Sequence, residues 1–548
     1  MQFSIESFAN LLPAVSKPEI KPAFKEKIFW TGLMLILFYF LGSVFVFGLN
    51  KQNVLQFEFY EIVFGSKFGS IITLGIGPIV TASIILQLLV GSKVLSWNTQ
   101  TPEGKAKFMG MQKLLAISFC FIEAAAYVMA GAVPVSTHFD PVTHNLVASA
   151  VPGAQALPGF TVSLLTIGLV VQLALGGIVI LFMDEVVSKW GIGSGVSLFI
   201  AAGVSKTIIV GLFSPPFTDA LKGTASGGLL WGFVNSLAIG QPNIAFETLL
   251  PLIATAVVFA IVFFVQGIKV EIPLAFSLPF GKFASRRWPL KFLYTSNIPV
   301  ILMAAVLANV QVVARALADK GINLLGVFSP PSANSAPVPI GGLIYYLTLP
   351  GKGTFSPIPT IAIFIGIFTL LFIFLASTVF KKYIARFAVL GGIIGLLVGV
   401  GIIAALGELG SLGLTDVPRE VLRTITYISV LTIGSIIFSI FWVNTAGMDA
   451  QSVAKQFESS ALMIPGFRRD PRIIENVLQK YIPALTVLGG AFIGLLAGFA
   501  DVTHALGTGT GILLTVMIVY QLYETIVNQH YEDLPEWARK FIKGGSQQ

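Results

Sequence analysis

The chain of 548 residues is 55% hydrophobic and only 11% charged, with a formal net charge of +8. Soluble domains carry about 45–50% apolar and about 25% charged residues, so this composition excludes an ordinary water-soluble fold and indicates a solvent that is largely lipid. A basic chain can bind nucleic acid, but these lysines and arginines lie in short segments between apolar runs, where membrane orientation explains them.

The first residues, up to about position 22, are polar and mildly amphipathic, and no cleavable signal peptide is predicted there because no short apolar region ends in a small-residue cleavage site. A helix needs about 20 apolar residues to cross the hydrocarbon core. Runs of that length predict twelve transmembrane helices, near residues 28–49, 71–93, 110–132, 161–183, 192–213, 244–267, 298–317, 357–380, 387–406, 421–444, 481–500 and 510–529.

The loops between these helices predict the orientation. If the N-terminal segment 1–27 is cytoplasmic, the inside segments hold about 25 of the 34 basic residues, as the positive-inside rule requires. We therefore expect the C-terminal tail, 531–548, to be cytoplasmic as well. The long outside loops 132–160 and 328–359 are rich in Gly, Pro and Ser, which is typical of exposed loops with little regular structure.

The inside loops 269–297 and 444–480 are also long, but they are basic and aromatic. Such loops indicate that a macromolecule docks on the cytoplasmic face.

The second apolar segment is interrupted near its start. Gly75, Gly77 and Pro78 break the run, and a proline in the first turn starts a helix rather than continuing one. The preceding stretch, 56–70, is too short and too polar to span. The pattern predicts a short half-helix, a break and a full span, which is tolerated at membrane depth where it lines a cavity or packs in protein. A proline kink with no pathway is the alternative.

Two ionisable residues lie within predicted spans. Glu123 is at the middle of the third helix, and such residues usually face the protein interior. Its alternative role is that of a proton-coupling carboxylate in a transporter. Lys206 lies in the fifth helix, where its side chain would extend towards the outer face, and no function is assigned to it.

The chain resembles the SecY family, the pore (alpha) subunit of the protein-conducting channel, in its archaeal and eukaryotic form. Six runs carry this resemblance, in order from the second helix to the last, so it covers nearly the whole chain. They are LGIGPIVT at 74–81, DEVVSKWGIGSG at 184–195, SNIPVI at 296–301, FWVNTAGMD at 441–449, KYIPALTV at 480–487 and ALGTGTGILL at 505–514.

The resemblance implies an all-α polytopic fold with a SecY-like ten-helix core of two inverted five-helix halves, here 28–213 and 244–530. It also implies a plug at about 56–70. The narrowest point would be a ring of aliphatic side chains that resists ion leak because it offers an ion no ligands. By matching motifs these residues are Ile76, Val80, Val196, Ile200, Ile301 and Leu514.

In the family, the channel also opens sideways between its second and third helices and its seventh and eighth. The resemblance places Thr81, Glu123 and Asn309 in that seam as a polar cluster. It implies two small membrane subunits, of the SecE (gamma) type and the Sec-beta type, as partners. The other expected partners are the ribosome, signal sequences and nascent polypeptides, and membrane lipid. The expected location is the cell membrane, or the endoplasmic reticulum membrane in a eukaryote.

The sequence departs from the family pattern at two places. The chain between positions 328 and 441 is too long, which predicts an inserted transmembrane hairpin at about 357–406 that either docks a partner or pads the bundle. The loop after the sixth helix begins nearly neutral instead of with an arginine cluster. The candidate ribosome-docking residues are therefore Arg286 and Arg287, which lie later in that loop, and Arg468 and Arg469. The alternative for Arg468 and Arg469 is that they only enforce orientation.

The sequence thus predicts the central subunit of a protein translocation channel, which passes secretory polypeptides across the membrane and releases membrane segments sideways into lipid. A secondary transporter of small solutes is the alternative, since transporters also contain broken helices and inverted repeats. Transporters usually need a polar midplane, whereas the ring implied here is aliphatic. No Walker-type sequence or catalytic constellation stands out, and the one cysteine and four scattered histidines show no metal-ligand spacing, so neither an enzyme nor a cofactor is expected.

Overall fold

The structure is a computed structural model. It describes residues 13–20, 22–49, 65–91, 94–95, 97, 101–129, 133–140, 145–147, 155–214, 228–240, 242–277, 283–295, 298–319, 321–329, 338–348, 389–397, 417–459, 462–463, 471–503, 505–507, 509–530 and 539. The regular elements that follow belong to that part of the chain.

The fold is mainly helical. The helices of the first half are α1 Phe24–Leu41, α2 Gly77–Gly91, α3 Pro102–Met129, α4 Gly159–Trp190 and α5 Gly195–Phe213. The later helices are α6 Leu229–Ala238, α7 Pro242–Gln266, α8 Ile298–Asp319, α9 Leu343–Leu347, α10 Val417–Thr445, α11 Ala450–Ser459, α12 Pro471–Val502 and α13 Gly509–His530. Residues 389–397 are helical too.

Among the described residues, seven helices are long and apolar enough to cross a membrane. They are Glu103–Met129, Gly159–Trp190, Gly195–Phe213, Ile298–Arg315, Leu422–Phe457, Ile474–Val502 and Gly509–Val527, and shorter apolar helices lie at Gly77–Val90, Leu229–Ala238 and Pro251–Gln266. The second of these shorter helices has no counterpart among the twelve predicted spans. Of the predicted hairpin, 357–388 and 398–406 lie outside the described residues.

The start of the second helix has the predicted break. Residues 71–76 form turns, Gly75 has φ +54°, and α2 begins at Gly77 with Pro78 in its first turn. A positive φ is a conformation that glycine adopts without a Cβ clash. The polar stretch before it is described only from Gly65 onwards, where it forms turns rather than a helix.

The first helix ends earlier than its apolar run. The prediction extended to residue 49, but α1 ends at Leu41, and the Gly42 N–H donates to the Phe38 carbonyl at 3.0 Å. Beyond it, Phe45 forms an isolated bridge with Ser70 and Leu49 one with Val135. High hydropathy indicates that a segment avoids water, but it does not distinguish a helix from apolar chain without helical structure.

The two long loops predicted to be cytoplasmic share a sheet that was not expected. Strand β4 (Lys269–Ser277) pairs antiparallel with β5 (Phe283–Lys291), from Lys269 opposite Lys291 to Ser277 opposite Phe283. Strand β8 (Leu462–Met463) from the second loop pairs with the other edge of β4. A hydrophobic cluster packs this sheet against α11 and α12. It includes Trp288 and Phe457, whose ring centroids are 4.7 Å apart.

The loops predicted to be external also contain short strands. In the first, β1 (His138–Asp140) lies between β2 (Asn145–Val147) and β3 (Gln155–Ala156). In the second, β6 (Val327–Phe328) pairs with β7 (Pro339–Gly341). Both loops therefore contain more regular structure than the sequence predicted.

Candidate functional site

The six predicted ring residues come from four helices and lie in one hydrophobic cluster. Ile76 precedes α2 and Val80 lies within it, Val196 and Ile200 are in α5, Ile301 is in α8, and Leu514 is in α13. Helix α8 packs against α2 and α13, and α13 packs against α5. Ile76, Ile200 and Leu514 have 0% exposure, and only Val196 is half-buried. All six predicted residues therefore lie in, or packed against, the same hydrophobic cluster, and the ring itself stays a prediction.

The broken start of α2 determines where Ile76 lies. The Gly77 N–H donates to the Leu74 carbonyl at 3.0 Å, and the Ile76 carbonyl accepts from both Ile79 and Val80 at 3.1 Å. The turn thus ends at Ile76 and the helix begins there. A continuous helix through this segment would give the Ile76 side chain a different direction from the one that the turn gives it.

The described end of the predicted plug contacts α5. Gly65 has φ +53°, and a Cβ there would lie 3.3 Å from the Phe199 carbonyl oxygen, beside Ile200. Phe68 stacks on Tyr127 of α3 with ring centroids 5.8 Å apart. Residues 56–64 of the predicted plug lie outside the described residues.

The three predicted seam residues form a hydrogen-bonded chain across three helices. Asn309 Nδ2 of α8 donates to Thr81 Oγ1 of α2 at 3.2 Å, and Thr81 Oγ1 donates to Glu123 Oε1 of α3 at 2.7 Å. Glu123 is 8% exposed, and its Oε2 is buried with no hydrogen-bond partner among the described residues. Because the Thr81 hydroxyl both accepts and donates, it connects polar side chains of all three helices.

A cavity that the sequence did not predict lies at the same seam. It has a volume of about 350 Å³ and lies between α2, α3 and α10, where Gln87, Met109, Gln112 and Trp442 contribute to its wall. Gln87 Nε2 donates to Ser83 Oγ at 2.7 Å on the same helix. The sequence signal that could have found it is the pair of glutamines in otherwise apolar spans.

Lys206 of α5 lies beside α1. Its Nζ is 5.7 Å from the centroid of the Tyr39 ring, and Tyr39 donates its hydroxyl to the Ala202 carbonyl at 2.8 Å. Both residues border a cavity of about 380 Å³ that also reaches Lys67. The lysine thus packs along an aromatic ring, as long basic side chains do.

Of the candidate docking arginines, the structure describes the two in β5. Arg287 has 77% side-chain exposure, and its Nη1 donates to Glu271 Oε2 at 2.9 Å. This hydrogen bond and the arginine's charge hold the pKa of Glu271 below its usual value. Arg286 stands opposite Leu274 in the β4–β5 register. Arg468 and Arg469 lie outside the described residues.

The base of these loops is anchored by Tyr294. Its hydroxyl donates to the Met448 carbonyl at 2.7 Å, which ties the end of the first loop to the second. Burial, together with the negative charge of Asp449, raises the pKa of Tyr294 to about 12. The phenol therefore remains protonated and able to donate at neutral pH.

Comparison with known proteins decides the family. The SecY family model matches residues 70–523. The chain belongs to the SecY family. It is 37% identical to the protein translocase subunit SecY of Methanococcus vannielii over 98% of this chain and 99% of the relative. It is 38% identical to the corresponding subunit of Methanothermobacter thermautotrophicus over 98% of each chain.

Solved structures agree. A structure described as a protein conducting channel superposes with a TM-score of 0.71 at 36% identity, covering 97% of this chain and 98% of the other. Sec61 in the canine ribosome-channel complex from the endoplasmic reticulum gives 0.68 at 36% identity, with the same coverage. The predicted family and channel fold are confirmed. Membership of the SecY family of translocase subunits rules against the alternative interpretation, a small-solute transporter.

Proposed function

We propose that this SecY family member is the central pore-forming subunit of a protein translocation channel in the cell membrane. It passes secretory polypeptides across the membrane and releases membrane segments sideways into lipid. The observation that carries the proposal is that the six aliphatic residues of the predicted ring lie in or against one hydrophobic cluster, while Asn309, Thr81 and Glu123 form a hydrogen-bonded chain between α8, α2 and α3. A solute transporter would require polar ligands where the predicted ring lies.

An aliphatic ring suits a passage for unrelated polypeptides. It offers an ion no oxygen to replace its hydration shell, so a narrow ring excludes water and ions by dewetting. It also makes no hydrogen bonds with a passing chain, so no client sequence is retained. On this proposal the chain is a passive channel rather than an enzyme, and the driving energy comes from a partner.

The seam suits lateral release. Helix α2 packs against α8 and α10, and α3 packs against α8, so the two sides of the seam are in contact. The chain from Asn309 through Thr81 to Glu123 is the polar link across that contact. A client segment leaves sideways when its gain on entering lipid exceeds the cost of opening the seam, and the hydrogen bonds across the seam contribute to that cost.

For the domain arrangement we propose the one that the sequence predicts. The cytoplasmic segment 1–27 precedes the first half, 28–213, with its plug at about 56–70. The second half, 244–530, contains the inserted hairpin at about 357–406, and the tail 531–548 is cytoplasmic. The clustering of basic residues in the inside loops supports this orientation.

The proposed partners are SecE-type and Sec-beta-type small membrane subunits, the ribosome, signal sequences with nascent polypeptides, and lipid. The structural relative in a ribosome–channel complex supports the ribosome. The docking surface comprises Arg286, Arg287, Arg468 and Arg469, because guanidinium groups pair with RNA phosphates through charge and a planar donor fork. The exposure of Arg287 fits such a contact.

The experiment is disulfide cross-linking to an arrested translocation intermediate. Single cysteines replace Ile76, Ile200 or Ile301 in a Cys120→Ala background, and the client carries one cysteine in its translocating part. We expect cross-links at all three ring positions. The matched control is Ile36→Cys on α1, which is 69% exposed. Cross-linking at position 36 but not at the ring would overturn the proposal.

A further inference from the structure

Two of the helices that carry predicted ring residues begin at an aspartate of the preceding helix, half-buried at Asp184 and fully buried at Asp501. At the start of α5, the Val196 N–H donates to Asp184 Oδ1 at 2.8 Å, and Asp184 lies near the end of α4. At the start of α13, the Gly509 N–H donates to Asp501 Oδ1 at 2.7 Å, and Asp501 lies at the end of α12. In each case a side chain of one helix caps the N-terminus of the next.

Both carboxyl groups make further hydrogen bonds. Asp501, which is 1% exposed, also accepts from the Thr510 N–H at 3.3 Å, from the Thr510 hydroxyl at 2.9 Å and from the Tyr427 hydroxyl at 2.9 Å. Asp184 also interacts with the Gly195 N–H and the Ser188 hydroxyl. Ser194, at the N-cap of α5, makes no capping bond with its own side chain. The aspartate therefore supplies the cap that the helix itself lacks.

The glycines around each cap are equivalent. Both helices follow a Gly-Ser/Thr-Gly sequence, and its first glycine has a positive φ, +79° at Gly193 and +75° at Gly507. The second glycine gives the preceding helix room to approach. A Cβ at Gly195 would lie 2.6 Å from Asp184 Cα, and one at Gly509 would lie 2.1 Å from the Ala500 Cβ.

The ring residues stand at equal distances from these caps. Ile200 is five residues beyond Gly195, and Leu514 is five residues beyond Gly509. The predicted topology places the α4–α5 connection inside and the α12–α13 connection outside. The same device therefore occurs once in each half, at opposite ends of the channel.

We propose that Asp184 and Asp501 are positioning residues of the seal, each holding the start of one pore helix so that Ile200 or Leu514 enters the constriction. The role rests on the proposed function of the ring. A carboxylate at a helix N-terminus bonds orphan N–H groups and is favoured by the helix dipole. Each aspartate supplies acceptors for the first N–H groups of its helix, so it fixes where that helix begins.

A general stabilising role is the competing explanation, and a crossed experiment separates the two. Cysteines replace Ile200 or Leu514 in full-length Cys120→Ala protein in lipid vesicles, and the labelling rate with a small water-soluble thiol reagent is measured. The labelling rate is measured without a translocating client. The labelling prediction can therefore be wrong while the client cross-linking succeeds, and the cross-linking can fail while the labelling prediction holds.

Asp184→Ala should raise labelling at position 200 about tenfold, the change produced by about 1.4 kcal/mol, which is typical of a lost helix cap. Labelling at position 514 should stay near the parent rate. Asp501→Ala should do the reverse. If both positions rise together in each variant, or neither rises, the proposal is wrong.

Each variant has a control close by. Glu185→Ala removes the neighbouring carboxylate, which pairs with Lys113 and Lys189, and leaves the start of α5 intact. Thr503→Val removes a buried hydroxyl whose one hydrogen bond among the described residues is to the Ala500 carbonyl at 3.0 Å. Both controls should label at the parent rate. If the alanine variants do not accumulate, Asp184→Asn and Asp501→Asn keep one acceptor oxygen and should give the same crossed pattern at smaller amplitude.

Discussion

Among the described residues, the hydroxyl of Thr81 is the one group that hydrogen-bonds both Asn309 and Glu123. Thr81→Val removes this hydroxyl and conserves the shape of the side chain, so it tests the role of these bonds in the seam. The valine removes the 2.7 Å bond to Glu123 and the 3.2 Å bond from Asn309. Glu123 Oε2 has no hydrogen-bond partner among the described residues. Without the Thr81 hydroxyl, neither oxygen of this carboxyl group would have a partner there. Leaving a buried polar group unpaired costs about 1–3 kcal/mol.

This cost falls on the closed seam, because an open seam separates the helices and wets the polar groups. We therefore expect Thr81→Val to favour opening and to lower the hydrophobicity that a client segment needs for lateral exit. Leucine contributes up to about −0.6 kcal/mol per residue to insertion, so a shift of about 2 kcal/mol corresponds to about three leucines fewer in the segment.

The assay scores membrane insertion against full translocation for test segments of graded leucine and alanine content, in vesicles reconstituted with the complete translocase. Thr166→Val is the matched control, because within the described part of the chain the Thr166 hydroxyl bonds only the Val162 carbonyl of its own helix, at 2.8 Å. A threshold that rises, or that moves as little in Thr81→Val as in Thr166→Val, would refute the role given to the seam.

Two further predictions concern regions outside the described residues. A cysteine at Tyr383, in a Cys120→Ala background, should react with an impermeant reagent only from the cytoplasmic side, because a transmembrane hairpin places its basic turn inside; labelling from outside would contradict a membrane-crossing hairpin. Arg468→Glu combined with Arg469→Glu should weaken ribosome binding and flatten its dependence on salt concentration. Unchanged affinity in a correctly oriented variant would leave the arginines of β5 as the docking residues.

The helical core could be predicted because its signals are local. A run of apolar residues specifies a span, and Gly75 with Pro78 specifies where α2 begins. The members of the ring and of the seam came from the family resemblance instead, since hydropathy cannot tell a pore-facing isoleucine from a lipid-facing one. Ile76 and Ile36 are equally apolar, yet one has 0% and the other 69% exposure.

The elements that could not be predicted depend on partners distant in sequence. Strand β4 is interrupted by Pro273, and its partner β8 has only two residues and lies in another loop. The cap at Asp501 involves Tyr427, 74 residues earlier in the chain. The end of α1 at Leu41 likewise depends on bridges from the following residues to Ser70 and Val135.

The central claim is that the aliphatic ring seals the resting channel, and ion conductance tests it most directly. The purified complex carrying Ile76→Asn, Ile200→Asn and Ile301→Asn is recorded in planar lipid bilayers without a client, beside the parent and an Ile36→Asn control. Amide side chains would let water wet the constriction, so the triple variant should conduct ions while the parent and the control remain closed. A triple variant as silent as its parent would contradict the assignment of the ring.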